Sequence, residues 1–171
     1  MPAKNAKEVY VQMLSDLRHG TERTTRLFAD ISQLAQDPEV REALEARVFV
    51  SKNVLDTLDE CFRLIGEQPV KESGHLQEAF AEDFRKELSG IQNPIARRFY
   101  ILSKASQLVH FRVAEYKALI AGADFSGHYG VGVMLDACLA DTLAFVERTQ
   151  RLIRIVAEGK LAERIAAKSA A

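Results

Sequence analysis

The side chains of this 171-residue chain that could do chemistry are few and widely scattered. Cys61 and Cys138 each sit inside an apolar pattern, with no second Cys or His at metal-ligand spacing. Neither has an adjacent cation to activate it, so both read as reduced core thiols of a cytoplasmic protein. The stretch Gly127-His128-Tyr129-Gly130-Val131-Gly132 has the glycines of a phosphate-cradling loop, but no strand precedes it and no Gly-Lys-Ser/Thr follows. It reads instead as a helix connection, its glycines permitting positive φ. His75 and His128 lie in connections without a carboxylate pattern, and His19 stands beside Gly20, where a close helix–helix contact or a kink is expected. Arg148, Arg151 and Arg154 are interrupted by Leu152 and Ile153 and read as a solvated face. Ser, His and Asp residues are present, but no strand–turn–helix elbow exists to build a nucleophilic triad.

The elements that must position these residues are helices. Apolar residues recur about every 3.5 residues through nearly the whole chain, and strand-like alternation is missing. The first helix is predicted from about Ala6 to Gln36 on a stripe through Tyr10, Leu14, Leu17, Phe28 and Ile31. Asp37-Pro38 opens the second, which carries Leu44, Val48, Leu55, Leu58 and Phe62 to Ile65, with Gly66 at the C-cap. Glu67 to Asn93 is the long connection, holding a short amphipathic helix over His75–Leu88. Asn93-Pro94 opens the third helix, expected to close at Gly122, and the fourth runs from about Tyr129 toward Gly159. The ends, about 1–5 and 162–171, are expected to fray. Hairpin, long crossover, hairpin is the connectivity of a ferritin-like four-helix bundle, so the chain reads as one all-α domain of that class.

Bulk properties agree with one folded domain. Hydrophobic residues make up 47% and charged residues 27%, which is ordinary for a globular chain. With 23 basic and 24 acidic side chains the net charge is -1, so no long-range field draws nucleic acid or anionic lipid. No stretch approaches eighteen uncharged apolar residues, and the N-terminus has no apolar signal region, so no membrane association is expected.

Three stretches carry a resemblance: LSDLRHGTERTTRL (14–27), LDTLDECFRLIGEQP (55–69) and ASQLVHFRVAEY (105–116). In order and spacing they resemble the YciE/YciF family of bacterial ferritin-like, stress-associated bundles. That resemblance implies a di-iron or di-manganese centre, for which such bundles use a carboxylate from each of two helices and a Glu-x-x-His pair from each of the other two. The stretch Arg47–Ser51 (RVFVS) departs from it, because the family is rich in His and Glu there. Family-like candidates for metal ligation that remain are Glu22, His110, Asp141 and Glu147, with Glu115 and Asp56 as further carboxylates. The plainer reading of His110 is a boundary histidine bonded to a neighbouring helix.

Following the heptads inward places Thr21 and Thr24, Ser51, Ser106 and Thr142 at mid-bundle, with Thr149 one heptad later. These hydroxyls are expected to bond carbonyls one turn back. A scaffold without cofactor, most simply a homodimer, is therefore the leading expectation. Val48-Phe49-Val50 and Phe99-Tyr100-Ile101-Leu102 cannot all face one core and should meet the crossover helix or a second subunit. The alternative is an iron- or manganese-dependent oxidase or peroxide-handling enzyme. A third possibility is a small apolar or amphipathic ligand between Thr24, Ser51, Ser106 and Thr142.

Overall fold

The structure is a computed structural model that describes residues 5–71 and 76–169, with the side chains of 76–78 and 160–169 excepted. Its helices are α1 (Ala6–Leu34), α2 (Pro38–Ile65), α3 (Leu76–Gly90), α4 (Pro94–Phe125) and α5 (Tyr129–Ser169), and the described residues contain no strand. The cap signals place the helix starts. Asn5 accepts from Glu8 N at 2.9 Å, Asp37 from Val40 N at 3.0 Å, and Asn93 from Ile95 N and Ala96 N at 3.0 and 2.9 Å. Pro38 and Pro94 occupy first-turn positions where no amide partner is needed. Gly66 closes α2 at φ 68°, and Glu67 N reaches back to Phe62 O at 3.1 Å, a left-handed cap that costs glycine little.

The four long helices form a ring in which α1 packs on α2 and α4, and α5 packs on α4 and α2. Residues from the start of α1 share a cluster with the ends of α2 and α4 and the start of α5; the other halves share a second cluster. Every adjacent pair is thus antiparallel. The crossover helix α3 lies against α1 and α4, burying Phe84 and Leu88 and stacking Phe84 on Tyr100 with ring centroids 5.4 Å apart. Arg85 adds an ion pair to Asp30 of α1 at 2.8 Å. The fold is an all-α bundle of four long helices whose long second connection carries α3.

Helix ends differ from expectation in the second half. Gly122 does not end α4; a Cβ there would sit 2.9 Å from the Tyr10 ring, so this glycine admits a close α1–α4 approach inside the helix. The chain turns at Gly127, with φ 74°. α5 runs through Gly159 to Ser169, past the point where fraying was expected. One 18-residue window within Tyr129–Gly159 is apolar enough, at mean hydropathy 1.5, to resemble a membrane span. Of that window 44% is buried, and the helix packs against α2 and α4.

The apolar stretches divide as their position requires. Val48 packs on the core and Phe49 is 68% exposed, while Tyr100 meets α3, Phe99 is exposed and Ile101 and Leu102 are buried.

Candidate functional site

Between the two apolar clusters lies a polar waist. Along the inward seam of each helix the buried positions alternate by three and four: Leu17, Thr21, Thr24, Phe28 on α1; Leu44, Arg47, Ser51, Val54 on α2; Val109, Arg112, Tyr116, Leu119 on α4; Cys138, Thr142, Phe145, Thr149 on α5. The waist is where those seams turn polar, and Val113 packs against both clusters across it.

Its dominant groups are two arginines that the heptad reading passed over. Arg47 is 5% and Arg112 3% exposed. They approach from α2 and α4, the helices that face each other diagonally across the ring. Arg47 Nη2 donates to Thr142 Oγ1 at 3.3 Å, and its guanidinium carbon sits 5.8 Å from the centre of the Phe145 ring. Arg112 Nη1 donates to Glu115 Oε2 at 2.6 Å. Its guanidinium lies flat on α1 at Gly20, where a Cβ would come within 2.1 Å of Nη2. Gly20 is therefore the close contact expected beside His19, made to an arginine rather than to helix backbone. The His19 ring nitrogen Nε2 lies 3.2 Å from Val70 O in the turn after α2.

Burial depresses the Arg47 pKa, the nearby charge of Arg112 depresses it further, and Tyr116, Asp141 and Cys138 oppose the shift. Burial likewise raises the Tyr116 phenol and holds the Glu115 carboxyl above its ordinary value, although Arg112 pulls the carboxyl the other way. Among the described residues, Arg47 Nη1, Arg112 Nε and Nη2, Tyr116 OH and Thr24 Oγ1 are buried without a hydrogen-bond partner. Thr21 and Thr142 do bond one turn back, to Leu17 O and Cys138 O at 2.7 Å each, as does Thr149 to Phe145 O at 3.0 Å.

The other candidates are dispersed. Ser51 is buried in the waist, but Ser106 is half-buried on the flank of α4, because the seam passes through Ala105 and Val109. His110 is exposed, and its Nδ1 contacts Ser106 O of its own helix at 2.8 Å rather than a neighbouring helix. Glu22 is half-buried and paired with Arg26 and with Arg18, the latter at 3.7 Å. Asp141, Glu147 and Asp56 are exposed. Among the described residues, no three His, Cys, Asp or Glu side chains gather closely enough to hold a metal ion. The inward set of two cations and several hydroxyls does not match the carboxylate and imidazole set that a di-iron centre requires. His75 lies outside the described residues. Both thiols are buried and free, and burial pushes Cys61 up to about 12 and Cys138 up to about 11.

The arginines had a signal in the sequence. Leu44, Arg47, Ser51, Val54, Leu58 and Cys61 keep three-four spacing, as do Leu102, Ala105, Val109, Arg112, Tyr116 and Leu119. Arg47 and Arg112 are members of those inward rows.

The family described as a domain of unknown function, DUF892, matches residues 5–165. Among solved structures, the stress protein YciF of E. coli superposes with a TM-score of 0.86 at 16% identity, covering 91% of this chain and 98% of that one. YcfI of Rhodopseudomonas palustris gives 0.82 at 17% identity over 86% and 94%. A protein of Xanthomonas campestris gives 0.71 at 14% identity over 93% and 97%. No curated protein matches.

Proposed function

This chain belongs to the DUF892 family, with the bundle fold of YciF, and from that membership we propose that it is a stress-associated ferritin-like scaffold that self-associates as a homodimer without an intact di-iron centre. One observation carries the reading: Arg47 and Arg112 are buried at the level where a metal pair would sit. Two fixed cations in a poorly solvated interior repel any divalent ion placed beside them. Offsetting two metal ions there would take several inward carboxylates, and among the described residues the one carboxylate bonded within the waist, Glu115, is engaged by Arg112. The redox chemistry of an oxidase would have no ligand set to stand on, and self-association is left as the use of the scaffold.

Apolar side chains on the outside support that use. Phe49, Phe99 and Phe111 are exposed, and Phe125, Tyr129 and Val133 recur every four residues at the α4–α5 end, each more than two-thirds exposed at 90%, 68% and 72%. Elemental analysis of protein purified without added metal, together with its mass by light scattering, tests the reading. Metal well below one atom per chain with a dimer mass is expected. Stoichiometric iron or manganese that is lost in His110→Ala would replace it with the enzyme reading, and a monomer mass would remove self-association.

A further inference from the structure

The waist is built as the inverse of a metal site. A guanidinium carries five N–H donors in a planar fork and stays charged in proteins, so it is buried only where acceptors or an anion meet it. Arg47 has one acceptor, a neutral hydroxyl at 3.3 Å, and Arg112 has one, the Glu115 carboxylate at 2.6 Å. Counting the two arginines against Glu115 leaves one positive charge enclosed by apolar clusters on both sides.

The unmet groups follow one another along the waist, with Arg112 at the level of Gly20, Tyr116 one turn toward one apolar cluster and Thr24 one turn toward the other. Arg112 and Tyr116 are one turn apart on the inward face of α4, and Arg47 reaches in from the diagonal helix. Arg112 lies on α1 at Gly20, one turn from Thr24 on the same face. Arg47 and Tyr116 each feel the charge of the other and that of Arg112. Three of the five unpartnered waist atoms, Arg47 Nη1 and Arg112 Nε and Nη2, can only donate, whereas Tyr116 OH and Thr24 Oγ1 can donate or accept.

Two openings flank the waist. A cleft of about 200 Å³ between α2 and α5 is lined by Arg47, with Ala46, Val50 and Phe145 as apolar wall and Asp141 on its edge. On the other side, a groove of about 480 Å³ between α1 and α3 has Thr24 and Leu108 in its lining, with Arg23, Arg26 and Arg85 set against Glu82.

The geometry points to a buried site for one small oxyanion, a phosphate or a carboxylate headgroup, held between Arg47 and Arg112 with Tyr116 completing its hydrogen bonds. Guanidinium forks match the paired oxygens of either group, and a single negative charge cancels the enclosed excess. The small side chains at the contact, Gly20 on α1 and Ala46 beside Arg47, admit the guanidinium and the approach path respectively. The site shares with the proposed function only the lack of a metal centre; it does not require self-association.

The test uses the full chain, dialysed free of oxyanions and titrated with inorganic phosphate, sodium acetate and sodium chloride at matched ionic strength, by calorimetry and by thermal midpoint. Phosphate or acetate, or both, should bind once per chain and raise the midpoint beyond chloride; phosphate alone assigns a phosphate headgroup and acetate alone a carboxylate. Arg47→Met and Arg112→Met should each weaken binding roughly ten- to hundredfold, the loss of a charge-assisted hydrogen bond, while Arg151→Ala on the exposed face of α5 binds as the parent does. Should an arginine variant fail to fold by circular dichroism, Tyr116→Phe, which keeps the packing and removes one polar group, reads the same site. Responses that follow chloride for every ion, or binding undiminished in all three variants, would overturn the site. Mass and metal content on the same samples separate the two readings. A metal-free monomer that binds phosphate removes the scaffold and leaves the site, whereas stoichiometric metal with no oxyanion binding removes both.

Discussion

The two apolar halves of the bundle and its polar waist follow opposite rules. In each half the seam residues are large and apolar, as with Phe28 against Phe145 at 5.7 Å between ring centres, and burial alone fixes their places. At the waist the same seam positions carry Arg47, Arg112, Thr24 and Thr142, and what they need is hydrogen-bond partners more than volume. Apolar halves of this kind supply the stability of the bundle, since each fully buried large side chain contributes about 1.5–3 kcal/mol. A buried cation with unmet donors works against it. Residues that lower stability in the middle of a well-packed core are the ones for which a purpose other than folding has to be found.

That contrast can be broken experimentally. Phe28→Ala or Leu58→Ala should lower unfolding free energy by about 3–5 kcal/mol in urea titrations, because each opens a cavity among wholly buried neighbours. A loss under about 1 kcal/mol would mean the halves are loosely packed. Gly20→Ala should destabilise by about 1–3 kcal/mol, since its methyl must displace the Arg112 guanidinium. Adding Arg112→Met to it should recover most of that loss, a non-additivity the double-mutant cycle measures directly. Arg47→Met by itself, in an oxyanion-free buffer, should be neutral or stabilising by up to about 2 kcal/mol; a clear loss would show that the waist is internally satisfied and erase the contrast.

The smallest effect is on pH dependence. Burial holds the Glu115 carboxyl above its ordinary value of 4.5 despite Arg112, so the folded chain binds that proton more tightly than the unfolded chain does. Its contribution is present in full below about pH 4.5 and is lost as pH rises through the raised folded value. Thermal midpoints measured across that rise should show Glu115→Gln gaining on the parent. A constant difference between the two proteins would place the carboxylate in water.

Most of the architecture was legible because it rests on local physics. Asp37-Pro38, Asn93-Pro94 and Gly66 mark helix ends through cap geometry that a few residues determine. Gly122 misled for the opposite reason: its absent side chain answers the ring of Tyr10, more than a hundred positions away in the chain. The waist was legible in part. Thr21, Thr24, Ser51 and Thr142 lie inward as the heptads require, but Ser106 was misplaced by extending Leu102 to Val109 as one row when the seam steps through Ala105. Arg47 and Arg112 were missed because a charged side chain is normally evidence of a surface position. Only the three-dimensional partners, Gly20 for one and Thr142 for the other, reveal why these two are not.

The fit of Arg112 against Gly20 also acts as a key in a notch. If α1 slid along α4 by one helical turn in either direction, the guanidinium would face Asp16 or Thr24, and each has the Cβ that the contact at Gly20 excludes. Smooth apolar seams of repeating Leu and Phe tolerate such slippage, because one turn resembles the next. A single charged side chain seated in a single glycine gives the hairpins one alignment out of several, and so makes the middle of the bundle its ruler.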